Sequence, residues 1–397
     1  MAWAGAYALL SIIAAVVFAG AILLGPYRAV ERSDYMTYHM AARIVLDGYG
    51  ACLYDEQCQA DAQRELIGEE PTFANGALPF NSPPWFAALV APLGWLPLRV
   101  GFAIFTLLGL ATLGWGAWRA ATHAGLVEFG PRLLATILVL TAWPTVLAAI
   151  RGQSTLLAVG LLGLSVGLAR YRSGLALGLS LVKPTLAPLW GAWQVLGGHW
   201  RAVGTAALIG AAYLLLAALV VSPQSLIDYP GHLVGVAGGN AVGVHPLEMV
   251  NWRGAAERLE LGTWFTIVGS LVTLALVAVV WRRSPSRHLS AAAAFIGTPL
   301  VLPHANQHEF VLATLGILLA VVAVPELRRR LATVAIVLHL VAWGGIALDG
   351  QAGAWLLFGL ELGWLLLVVW MSGRQESASP DARQTSPEAG SGRVLRI

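Results

Sequence analysis

The chain has 397 residues, of which 57% are hydrophobic and only 11% charged, and its mean hydropathy is +0.71. An average soluble domain carries about 25% charged residues, so a soluble globular protein, a disordered chain and a disulfide-rich secreted module are all excluded. The net charge of +3 includes a single Lys, and the other basic residues are Arg. No basic run suits nucleic acid, and no nucleic-acid partner is expected.

Long unbroken apolar runs, rather than alternating ten-residue segments, predict an all-α polytopic membrane protein. The run 5–24 has no basic stretch before it and is long enough to cross ~30 Å of hydrocarbon. It reads as a first transmembrane helix, not a cleaved signal peptide. Eleven further spans are expected at 98–118, 132–150, 154–170, 173–183, 185–198, 202–221, 262–281, 288–303, 309–325, 331–348 and 353–371. The pair 173–183 and 185–198 is short and predicts a broken, Pro-interrupted hairpin. With about twelve spans, Arg119, Arg132, Arg170, Arg172, Arg201, Arg282, Arg283, Arg287 and Arg328 to Arg330 share one side with both termini. The positive-inside rule makes that side cytoplasmic. Residues 1–371 are thus expected to form one membrane domain, and 372–397, rich in Ser, Pro and Gly, a disordered cytoplasmic tail.

The segment 25–97 is the large first extracytoplasmic loop. Ser33 suits a helix N-cap and Gly48 a helix stop, which predicts a helix between them. On that helix Asp34 and Tyr38 share a face, and Asp34 sits at the start, where the helix dipole favours a carboxylate. The Pro83-Pro84 pair suits a second helix start. The apolar run that follows is too short to span, so it is expected to lie in the outer interface with Trp85 and Trp95 as belt residues. Cys52 and Cys58 lie between these helices on the oxidising side and are a candidate disulfide pair.

Costly polar residues converge on the outer side. Arg151-Gly152-Gln153-Ser154 joins two spans. Lys183-Pro184 marks the break in the short pair, and an ionisable residue at membrane depth is a functional-site hypothesis by default. Snorkelling is the alternative. The 222–261 loop carries Asn251-Trp252-Arg253-Gly254. The loop at 303–309 carries His304, His308 and Glu309. Its H-x-x-x-H-E spacing differs from the zinc pattern H-E-x-x-H. Hydrogen bonding to a sugar or phosphate fits better, with a polar helix cap as the plainer alternative. One carboxylate and several cations at a lipid interface suit transfer of a group from a lipid phosphate to a hydroxyl.

At these residues the chain resembles glycosyltransferase family 87, within the GT-C class. The resemblance rests on D-Y-x-x-Y-x-x-A-A from Asp34 with the L-x-G and L-Y-D that follow, S-P-P-W-F from Ser82 with L-x-x-L-P from Leu93, and G-Q-S-T-L-L-A from Gly152. It continues with the G-L-A-L-G-L-S-L-V-K-P run ending at Lys183-Pro184, N-x-R-G from Asn251 and P-H-x-x-x-H-E from Pro303. This chain departs from the family in two places: the family often has a His-Asp or Tyr-Asp pair where this chain has His308-Glu309, and the residue between Asn251 and Arg253 is Trp. The resemblance implies a GT-C-like fold and a polyprenyl-phosphate sugar donor, often mannose. It implies a glycolipid or glycan acceptor of a bacterial envelope, a bacterial plasma-membrane location and an extracytoplasmic site. It also implies an inverting single displacement with Asp34 as base. Lys183 and Arg253 would hold the donor phosphate. Tyr38, Gln153, Asn251, His304, His308 and Glu309 are candidate substrate-binding residues. No metal and no cofactor beyond the lipid-linked sugar are expected. A transporter or flippase of a lipid-linked sugar would use the same cations and groove. A GT-C-like transferase moving a non-sugar group and an inactive scaffold are further readings.

Overall fold

A computed structural model describes residues 28–68, 78–238, 245–284, 286–344 and 350–377, with residues 13 and 20. The expected first span at 5–24 therefore lies largely outside the described residues, as does the tail from 378. Among the described residues the chain is all helical, with no strand.

After a single helical turn at Arg28–Glu31, the loop region holds three longer helices. α1 (Asp34–Leu46) starts after Ser33, which takes an extended N-cap conformation. Its hydroxyl donates to the Val30 carbonyl at 2.6 Å rather than capping the helix. α1 is wrapped on nearly every side, from Tyr35 to Val45. α2 (Glu56–Ile67) is capped by Asp55, whose carboxylate accepts from the Cys58 amide at 2.8 Å. Cys52 and Cys58 are joined as a disulfide across that cap. Two glutamines of α2 then fix the following segment. Gln59 accepts from the Phe80 amide at 3.0 Å, and Gln63 exchanges two bonds with the Leu78 backbone. α3 (Pro84–Val90) and the 3₁₀ turn Ala91–Trp95 form the short apolar segment expected before Pro97.

Four described helices are long and apolar enough to cross a membrane: α4 (Leu98–His123), then α10 (Trp200–Leu216) with its π-turn to Val221, then α13 (Thr263–Arg283), and most of α17 (Gly350–Ser377). The expected span 132–150 is instead two helices, α5 (Phe129–Leu140) and α6 (Trp143–Arg151), bent by 54° at the break before Pro144. This is a polytopic membrane α-protein. Twelve full-length crossings are not present among the described residues. α7 (Thr155–Gly167), α8 (Arg170–Leu179), α9 (Pro188–Leu196), α14 (Arg287–Val301) and α15 (Phe310–Ala323) have 9 to 15 residues each. At 1.5 Å per residue the longest reaches only ~22 Å. α16 (Arg328–Gly344) is slightly longer. The 222–261 segment, expected as loop, contains α11 (Pro223–Gly238) and α12 (Trp252–Arg258). α17 continues to Ser377, so the first residues of the expected disordered tail are helical.

α7, α14 and α15 survive because the protein, not lipid, covers most of their surface. α7 is buried at 11 of its 13 residues. Its partner is α4, and glycines set their separation. A Cβ on Gly116 would strike the Gly160 backbone, and one on Gly160 would strike Thr112 and Leu113. Gly163 and Gly167 meet Gly116 and Arg119 in the same way. Membrane helices pack by such close backbone approach because apolar burial gives them little preference over lipid. Each short helix ends in a non-helical break, tolerated at membrane depth only where it is buried or lines a cavity. Those breaks carry the polar residues of the next section.

This packing makes a direct prediction. Gly160→Leu forces α4 and α7 apart, and size-exclusion chromatography in detergent is expected to show loss of the monodisperse peak. Leu on exposed Gly204, whose Cβ meets nothing, is expected to leave that peak intact. Equal behaviour of the two variants would contradict the account.

Candidate functional site

Four breaks meet at one cavity of 750 Å³. They are the start of α1, the turn between α6 and α7, the break between α8 and α9, and the segment between α14 and α15. The α6–α7 turn is made by Gly152 in the left-handed region, with φ of +61°. A side chain there would strike Tyr35 of α1 and Phe102 of α4. Only glycine lets the turn sit this close. The turn thereby sets Arg151 and Gln153 against the first turn of α1.

Gln153 is the centre of the site. Its amide Nε2 donates to Asp34 Oδ2 at 2.6 Å. Its carbonyl Oε1 accepts from the Tyr38 hydroxyl at 3.2 Å and from Lys183 Nζ at 3.4 Å. One carboxamide therefore links the carboxylate to the ammonium, although they lie far apart in sequence. Arg151 approaches the same Asp34 oxygen at 3.9 Å, and its side chain is half exposed. Asp34 itself is 28% exposed, enough to meet a substrate. Tyr38 is held among Phe80, Phe86 and Phe105.

Lys183 stands between two 3₁₀ turns, Ser180–Val182 and Pro184–Leu186. Its ammonium donates to Thr155 Oγ1 at 2.7 Å and to Glu309 Oε1 at 2.5 Å. Glu309 is almost fully buried and also meets His308 Nε2 at 3.0 Å. It closes a capping box with Asn306, whose amide donates to Glu309 Oε2 at 2.8 Å. The polar-cap alternative for this loop is thus present, and the same carboxylate serves as counter-ion to Lys183. His304 lines the cavity, and Asn306 lies 3.2 Å from its Nε2. Burial holds the His304 imidazole down at about 4 from its ordinary 6.5, so it is neutral at physiological pH.

The cavity brings together Asp34, Tyr38, Gln153, Lys183, His304, His308 and Glu309. It does not take in Asn251 or Arg253. Asn251 is fully buried; its side chain caps α12 by accepting from the Gly254 amide at 2.9 Å and donates to the Leu302 carbonyl at 2.6 Å. Arg253 donates to the carbonyls of Ala237 and Pro303 at 2.7 and 3.1 Å. Both residues shape the wall rather than face the space within, because backbone carbonyls left by the chain breaks claim them. Arg151, read in the sequence as part of a junction, is the guanidinium that does face it. Thr155, Trp143 and Asn306 are also site residues that sequence reasoning missed. Trp143 Nε1 donates to Gln307 Oε1 at 3.4 Å. The N-x-x-E spacing from Asn306 was a readable capping signal, and Thr155 lies in the G-Q-S-T-L-L-A run without a role read for it; Trp143 gave no signal.

A family model described as glycosyltransferase family 87 matches residues 80–303, more than half of the chain. The match covers Gln153, Lys183 and the α14 end, and stops short of α1 and Glu309. No curated protein matches, and no solved structure matches.

Two outcomes follow from the buried charges. Lys183→Met strands the Glu309 carboxylate and is expected to cost about 3 kcal/mol; adding Glu309→Gln is expected to recover most of it, as measured by thermal denaturation in detergent. A double variant no better than the single one would contradict the pairing. For His304, the unfolded chain gains a proton near pH 6.5 and the folded chain only near 4. Acidification across that window therefore favours unfolding. His304→Gln is expected to flatten the fall in stability between pH 6.5 and 4, and an unchanged slope would contradict the burial of a neutral ring.

Proposed function

Because the chain belongs to glycosyltransferase family 87, we propose that it moves a hexose, with mannose favoured, from a polyprenyl-phosphate donor to a hydroxyl of an envelope glycolipid or glycan. The reaction takes place on the extracytoplasmic face of a bacterial plasma membrane, with both termini on the other side. The observation that carries the reading is the pairing, through Gln153, of one partly exposed carboxylate with the cationic side of a large cavity.

In this reading the acceptor hydroxyl lies against Asp34. Its oxygen attacks the anomeric carbon from the face opposite the phosphate. The new glycosidic bond forms as the bond to the phosphate oxygen breaks, which inverts the anomeric centre. The hydroxyl proton passes to Asp34, an effect worth ~10²–10⁴ in rate. The electron pair leaves with the phosphate, and nearby cations stabilise that charge as it develops. Arg151 is the better first partner, because its guanidinium is half exposed while Lys183 is already met by Glu309. Lys183 supports the site through Gln153 and turns to the phosphate once the donor is seated. His304, His308 and Tyr38 offer hydrogen bonds to sugar hydroxyls. Neutral His304 can donate or accept there.

An apolar groove of 230 Å³ between α5, α15, α16 and α17 suits the lipid tail of the donor. Its lining includes Pro144 and Phe310, the direct neighbours of the cavity residues Trp143 and Glu309. The tail would thus run from the polar cavity into the hydrocarbon between helices.

The test uses purified protein in detergent with a radiolabelled polyprenyl-phosphate mannose and a membrane lipid extract. Labelled glycolipid is expected from the native chain. Asp34→Asn is expected to lower the rate at least 100-fold with little change in donor KM. Full transfer by Asp34→Asn would remove the assigned base. Passage of the sugar lipid across liposomes with no new glycosidic bond would favour the transporter reading instead.

A further inference from the structure

α1 has a second polar side. At ~100° per residue, His39, Arg43 and Asp47 form a stripe roughly opposite Asp34. That stripe lines a separate cavity of 840 Å³, walled on the far side by α2 and at one end by the turn that carries Trp95. The cavity shares no lining residue with the Asp34 site.

Its walls are fixed. Gly94 packs so closely on α1 that a Cβ would meet Ala42 and Leu46 at 3.0 Å. This locks the turn that presents Trp95. The Cys52–Cys58 disulfide ties the start of α2 to the turn that follows Tyr49. Two flat rings flank the space: Trp95 is 73% exposed and Tyr49 66% exposed. At its back His39 is 97% buried, and its Nδ1 has no hydrogen-bond partner among the described residues.

Charge narrows the ligand. The lining carries one cation, Arg43, against the carboxylates of Asp47, Asp61 and Glu65. Arg43 is already 3.5 Å from Asp47. Burial, with Arg43 beside it, holds His39 down at about 4, so the imidazole adds no charge. Asp61 is met in turn by Arg64 at 2.7 Å, so the two ion pairs leave Glu65 as the surplus charge, and a lining of that sign disfavours phosphate and other anions. Carboxylates accept hydrogen bonds from hydroxyls, a neutral imidazole pairs with a hydroxyl, and an exposed ring face packs against the C–H face of a pyranose. A concave space with a few convergent polar groups on rigid walls has the form of a ligand site.

We propose that this cavity is an accessory saccharide-binding site that takes a neutral oligosaccharide. Its role, holding the distal glycan of an acceptor while the reacting end lies at Asp34, rests on the transferase reading. The binding itself does not. One helix then serves both sites, and its length of ~20 Å separates the far end of the accessory cavity from Asp34.

The experiment is isothermal titration of the detergent-solubilised full chain with mannotriose, maltotriose and cellotriose, and with glycerol phosphate as an anionic control. Saturable binding of at least one trisaccharide is expected. Trp95→Ala and, separately, Glu65→Gln are expected to weaken it at least tenfold, while Asp34→Asn leaves it within twofold. Both substituted side chains are exposed, so folding is retained, and an unchanged size-exclusion profile verifies it. The proposal falls on any of four results: no saturable trisaccharide binding, affinity untouched by both Trp95→Ala and Glu65→Gln, tighter binding of glycerol phosphate, or loss of binding in Asp34→Asn. That last result would show that the sugar occupies the Asp34 cavity. If instead Asp34→Asn keeps both binding and full transfer, the accessory site stands and the assigned base fails.

Discussion

The contact on which the site depends is the carboxamide of Gln153. An amide has a donor end and an acceptor end, and here each meets a group of opposite need. The N–H₂ faces the Asp34 carboxylate and the carbonyl faces the Lys183 ammonium and the Tyr38 hydroxyl. A direct Asp34–Lys183 ion pair would leave the carboxylate neutralised and occupied. The bridge keeps the two charges in register while leaving Asp34 partly open to the cavity. Glu309 completes the arrangement by balancing Lys183 in a place where an unpaired charge would be expensive.

Everything that brings Gln153 to that position is backbone geometry. The α4–α7 glycine contacts draw α7 deep into the fold. The left-handed Gly152 turn then seats the α6–α7 junction on Tyr35. The helices around the cavity are short, and their ends supply the non-helical backbone on which the chemistry sits. A full-length crossing would carry such groups away to the membrane surface. The same α1 that presents Asp34 to one cavity closes a second on its other side, so the loop region is more than a cover.

Much of the site was legible in the sequence because its signals are local. Asp34 follows a helix-start residue, Lys183 is the single Lys and stands before Pro, and Gly152-Gln153 interrupts an apolar run. Hydropathy also gave the membrane class and the α3 segment. What it could not give was length. A window average scores α7 and α15 as spans, yet cannot tell a helix sheathed in lipid from a shorter one sheathed in protein. Side-chain direction was equally hidden. Asn251 and Arg253 look like polar candidates in a loop, but local carbonyls and the α12 terminus engage them. Arg151 reads as one of the polar residues converging on the outer side, and only the turn at Gly152 aims it at Asp34. Glu309 stood out locally, but its pairing with Lys183, more than a hundred residues away, has no local trace.

The bridge is tested most directly by a double-mutant cycle on the transfer rate between Gln153→Leu and Asp34→Asn. Gln153 positions the Asp34 carboxylate, so the account predicts that Gln153→Leu slows the native chain about tenfold or more yet adds little once Asp34 is already Asn. An equal penalty for Gln153→Leu in both backgrounds would mean that the two residues act independently, and would contradict the account.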